Sequence, residues 1–238
     1  MSVQKKTALG LLSLSLVVAL NCTARAEQAV TRVSAGLGRV DGYVMGMGGA
    51  NFRYDVGEGL ISQYDISGGG LNNYGFLKGT AHVGFRKLGV GYFGFFGSAS
   101  YINRENGSIG HAGAEAQLNY GPVTVDSKIG FNIIERSGSI MGGADISYYF
   151  NPDLRVYGGY HYVREQNLYA AGIEFRPSQF NGSNVTFFAD ARAATDDIRN
   201  ITVIGGAKIT FDAYRSLLDE NRNRFLSSDY LLDQLTVK

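Results

Sequence analysis

The chain has no Trp, three Pro and one Cys. So few prolines leave long stretches free to donate to a hydrogen-bonded ladder. Cys22 lies within a leader-like segment, so processing removes it and excludes disulfides; the rest must be held by ladder hydrogen bonds and burial. After Leu20 no apolar run is long enough for a membrane helix. Charge of one sign is also missing. Lys5, Lys6 and Arg25 fall in the leader, which leaves 19 Lys+Arg against 21 Asp+Glu from the chain's 22 and 21. That balance argues against a nucleic-acid partner.

Residues 1–26 read as a signal peptide. Lys5 and Lys6 supply the positive start and Ala8 to Leu20 the apolar core. Ala24-Arg-Ala26 is a small-x-small cleavage site, so the processed chain begins at Glu27. Asn21 stands where lipid attachment at Cys22 would want a small residue.

What is abundant is Gly (33), Tyr (15) and Phe (14), a composition of strands and tight turns. Asn200 to Phe211 shows the pattern clearly. Ile201, Val203, Gly205, Ala207, Ile209 and Phe211 form one face; Thr202, Ile204, Gly206, Lys208 and Thr210 form the other. A tilted strand needs ~9–11 residues to cross a bilayer. Twelve such segments run over 30–39, 43–54, 59–67, 75–86, 90–102, 109–119, 123–134, 140–150, 154–163, 167–176, 184–193 and 200–211, with ten as the rival count. Turn residues separate them, so sequential antiparallel hairpins follow.

Both faces are legible. Val123, Val125, Ile129, Phe131 and Ile133 oppose Thr124, Asp126, Lys128 and Asn132. A soluble barrel would bury the apolar face and solvate the polar one. The polar face here mixes Gly, Ser, Thr, Tyr and paired charges, which suits an enclosed lumen with the apolar face in lipid. Lumen-lining candidates are Asp65, Lys78, His82, Arg86, His111, Glu115, Asp126, Lys128, Asp145, Arg155, His161, Glu174, Arg176, Asp190, Arg192 and Lys208. Enclosed charges must pair or be hydrated. Tyr92, Phe96, Tyr149 and Tyr157 narrow the space. With no Trp, any aromatic girdle is built from Tyr and Phe.

Connections after even strands, such as Lys87-Leu-Gly89, Tyr120-Gly-Pro122 and Asn151-Pro-Asp153, are tight and would face the periplasm. Pro177 to Ser183 is the longer exception. The polar connections after odd strands, Asp196-Asp197 among them, would face outside.

The chain resembles Gram-negative outer-membrane β-barrel proteins, on the strength of the leader, the alternating strands and the aromatic-ending segment 200–211. That resemblance implies outer-membrane lipid as surroundings, and barrel-assembly machinery that reads Phe211. It departs from the class pattern in placing residues 212–238 after the aromatic. The stretch Ser216 to Arg224 looks like tails of uncharacterised proteobacterial barrels.

The expectation is therefore an all-β, closed antiparallel up-and-down barrel over 27–211, with 212–238 as a periplasmic tail that includes a short amphipathic helix around Ser228 to Leu235. Catalysis is not expected. No His has a Ser two residues on, and the external Asp196-Asp197 has no His. No metal or cofactor is expected, since nothing spaces the three histidines as ligands. The leading function is a small porin-like channel for small polar solutes. The alternative is a docking barrel with an ion-pair-closed lumen, its tail bound to a periplasmic partner.

Overall fold

The computed structural model describes residues 29–72, 74–103, 107–134, 137–177, 184–195, 201–212, 215–223, 225–226 and 231–236. The leader 1–26, most of the connection Pro177 to Ser183, and Asp196-Asp197 lie outside these residues.

Twelve strands form one closed barrel. They are β1 (Ala29–Val40), β2 (Tyr43–Gly57), β3 (Leu60–Leu71), β4 (Tyr74–Lys87), β5 (Gly91–Ile102), β6 (Gly107–Tyr120), β7 (Val123–Ile134), β8 (Ser137–Asn151), β9 (Leu154–Val163), β10 (Gln166–Phe175), β11 (Val185–Ala194) and β12 (Ile201–Phe211). Each pairs antiparallel with its sequence neighbours, and β12 closes on β1 from Thr31↔Phe211 to Val40↔Thr202. The rival count of ten is therefore excluded. The Gly-rich β3 runs on to Leu71, past the expected stop at 67.

The strands start and finish as their turn residues dictate. Asp41 (φ 50°) and Gly42 (φ 80°) join β1 to β2; Glu58 (φ 51°) and Gly59 (φ 80°) join β2 to β3. Two consecutive left-handed residues give the hairpin turn whose twist matches the strands. At Gly59 a Cβ would also approach the Arg86 carbonyl to 2.7 Å, while the Gly59 carbonyl accepts the Arg86 N–H at 2.8 Å.

We call the end holding Ala29 and Phe211 the terminal end, and the end holding Val40 and Ile201 the distal end. Outward residues are large, apolar and exposed; Leu37, Leu77, Phe95, Ile129 and Phe131 are examples. Tyr43, Tyr74 and Tyr101 ring the distal rim; Phe85, Tyr120, Phe150, Phe175 and Phe211 ring the terminal rim. The closed ladder leaves no open backbone edge.

Ile129 is 65% exposed in the middle of β7, and Tyr120 is 86% exposed at the rim. Arg at the bilayer midplane costs about 2–4 kcal/mol and close to zero near an interface. Ile129→Arg is therefore expected to cut the fraction that folds into lipid vesicles, read by heat-modifiable gel mobility, while Tyr120→Arg leaves it near wild type. Equal tolerance of both would show that this face does not meet lipid.

Among the described residues after β12 are two short helices, α1 (Leu217–Asn223) and α2 (Leu231–Thr236). Ser216 caps α1, its Oγ accepting the Asp219 N–H at 3.2 Å, and Asp219 and Glu220 complement the first-turn dipole. The tail was expected below the barrel. Its described residues instead pack inside it, because their charges and leucines match groups on the inner wall.

Candidate functional site: a tail-filled polar lumen

Period-two alternation sends every second side chain inward. The inward cations are Arg32, Arg53, Lys78, Arg86, Lys128, Arg155, Arg176, Arg192 and Lys208. The inward carboxylates are Asp55, Asp65, Glu115, Asp126, Asp145, Glu174 and Asp190. Cations are in the majority. All sixteen lumen candidates named above fall on this face. Arg32 and Arg53 were not among them, because the Gly-rich β1 and β2 give a weak apolar period. Their signal was parity alone: Arg32 alternates with Val30 and Ser34, and Arg53 with Asn51 and Asp55.

Three clusters stack along the lumen. At the terminal end, Arg176 donates to Glu220 of α1, and its Nε and Nη2 also reach Thr186 Oγ1 at 3.1 and 2.9 Å. Thr210 Oγ1 donates to Glu220 at 2.8 Å, and Arg32 lies 3.7 Å from the same carboxylate. Arg222 donates to Thr124 Oγ1 and to the Val123 carbonyl, each at 2.8 Å. Phe225 sits 4.2 Å beneath the Arg32 guanidinium, and the Leu226 N–H reaches Gln63 Oε1 at 2.9 Å.

Just inside that cluster Glu174 accepts from Lys208, from Arg155 at 2.9 Å and from Asn221 of α1 at 2.9 Å. His82 bridges Glu115 at 2.8 Å and Asp65 at 3.2 Å. Tyr157 donates to Asp190, and a Cβ on Gly172 would strike the Tyr157 ring. Glycine there lets the ring lie flat on the wall, which leaves room for the tail.

Near the distal end Asp233 of α2 accepts from Arg192 at 2.5 Å and pairs with His161 at 2.7 Å. His161 also lies 3.2 Å from Asp145. Burial by itself raises the Asp233 carboxyl, but the Arg192 charge and the His161 hydrogen bond outweigh it and hold the group at about 2. Leu232 and Leu235, three residues apart on one helix face, pack on Val40, Met45, Phe76 and Ile204. Thr236 meets Thr202 at 2.7 Å. The tail thus reaches from the terminal mouth to the distal wall.

Between tail and wall remains a cavity of about 160 Å³, lined by Arg32, Lys128, Asp126, Asp145, Arg155, Tyr157, Lys208 and Asn221 among others. Ser98 Oγ lies 3.0 Å from His111 Nδ1 across the β5–β6 ladder. Lys78 and Lys128 line the small cavity beside this pair, and among the described residues no carboxylate does.

The fold is a closed twelve-stranded antiparallel barrel with a polar, charge-lined interior, and its likeness is to solved outer-membrane barrels. The KdgM porin superposes with TM-score 0.58 at 8% identity, over 76% of this chain and 99% of that one. The same porin in complex with disordered oligogalacturonate gives 0.59 at 8% identity over the same shares. An outer-membrane channel from Pseudomonas putida F1 gives 0.51 at 12% identity, over 77% and 95%. No protein-family model matches the sequence, and no curated protein matches it.

Proposed function

We propose that the protein is a small porin-like channel for small polar solutes, held shut by its own C-terminal segment. The leader 1–26 is cleaved before Glu27 and directs export. The assembly machinery reads Phe211, and outer-membrane lipid surrounds the barrel. The terminal end faces the periplasm, as in barrels of this class. The reading is non-enzymatic, with no cofactor and no nucleic acid.

One observation carries it. The lumen is lined by ionised groups along its length, yet buried tail side chains span it from Arg176 to Thr202. A purely structural barrel could fill its interior with apolar side chains at no desolvation cost. A docking barrel would leave its tail in the periplasm. The buried tail carboxylates Glu220 and Asp233 pair with the barrel's own wall instead, which favours the channel over docking.

The test removes the distal anchor alone. Asp233→Ala combined with Leu235→Asp deletes the Arg192 pair and the apolar seat of α2. In planar bilayers the intact protein is expected to show low conductance with brief openings, and the variant frequent, larger ones. Silence from correctly folded variant protein would refute the channel reading.

A further inference from the structure

The tail's two innermost carboxylates occupy seats that the barrel wall builds. Glu220 is 3% exposed and rests on Arg176, Thr210 and Arg32. Asp233 is fully buried on Arg192 and His161. Each seat combines a guanidinium with a second polar partner, which is the arrangement that recognises a carboxylate. Elsewhere on the inner wall, away from the cavity lining, a third guanidinium lacks an acceptor among the described residues. Arg86 is 7% exposed, and its Nε, Nη1 and Nη2 carry no hydrogen bond among the described residues. The Tyr92 ring faces it at 5.6 Å. A buried guanidinium with no acceptor is costly, and an anion relieves that cost.

We propose that the lumen binds small carboxylate-bearing organic anions, and that these compete with Glu220 and Asp233 for the two seats. The cavity of about 160 Å³ lies between the seats and has room for such a solute. Arg32 and Arg192 belong both to the seats and to the cavity lining, so an anion in the cavity reaches groups that the tail is using. Binding of one ligand at the expense of the other is reciprocal: a solute that displaces the tail is weakened by the tail to the same degree. The solute therefore loosens the plug that blocks it. This step from binding to opening rests on the channel reading above.

The experiment uses folded full-length protein and succinate as probe, with chloride at matched ionic strength as control. Calorimetry is expected to show saturable succinate binding that chloride does not reproduce. Arg192→Gln is expected to weaken it at least several-fold. Glu220→Gln with Asp233→Asn is expected to tighten it several-fold, because the seats lose their resident anions. A misfolded variant would not gain affinity. Absence of saturable binding, or no change in the double variant, would overturn the inference. Planar-bilayer current on the same samples separates the two ideas. Succinate binding without any current supports the ligand class and refutes the channel; current without succinate binding refutes the ligand class and keeps the channel.

Discussion

Removal of residues 212–238 is expected to leave a barrel that still folds and inserts, and to raise its single-channel conductance several-fold. The ladder needs nothing from the tail. β12 ends at Phe211, and its register with β1 runs unbroken from Thr31↔Phe211 to Val40↔Thr202. What the deletion removes lies in the lumen: Glu220 from Arg176, Asp233 from Arg192, Leu232 and Leu235 from the cluster around Met45. Those wall cations are paired with tail carboxylates in the intact barrel. Once the tail is gone, water fills the space and hydrates them, so the loss is smaller than for a charge stranded in an apolar core. Heat-modifiable mobility checks insertion and planar bilayers check conductance. Failure to insert would place the assembly signal beyond Phe211. Unchanged conductance in an inserted barrel would show that the wall side chains alone close the lumen.

The second large effect is expected at Glu174. This carboxylate gathers Arg155, Lys208 and Asn221, with a side-chain exposure of 3%. Glu174→Ala strands two cations in the lumen, and breaking a buried pair by removing one partner costs about 3–5 kcal/mol. The temperature at which the barrel loses its compact gel mobility should fall clearly. Glu174→Ala with Lys208→Met should recover much of the loss, since the second change removes one stranded charge. Wild-type stability in the single variant would mean that water, not Glu174, carries those cations.

The wall was legible in the sequence because a strand's period is two, so one correct parity assigns a whole face. Asp126, Lys128, Glu174 and Lys208 follow from their apolar neighbours in this way. Arg32 and Arg53 were harder, since Gly36, Gly38, Gly46 and Gly48 blur the apolar face of β1 and β2. The tail was illegible for a different reason. Alternating charges such as Asp219, Glu220 and Arg222 look the same whether they meet water or an opposing wall. The partner of Asp233 lies in β11 and β9, and no local pattern connects them.

The path of the tail also sets an order of events. Chains rarely thread one segment through a finished ring. Thr236 ends up beside Thr202, and the tail crosses the lumen to arrive there. If β1 and β12 zip together first, the tail must be fed through a closed annulus. If α2 settles on β11 and β12 while the seam is still open, the remaining strands can wrap around it as a sheet is rolled around a rod. In that second route the plug acts as the mandrel on which the last hairpins are wound, and the β1–β12 seam is the final bond to form.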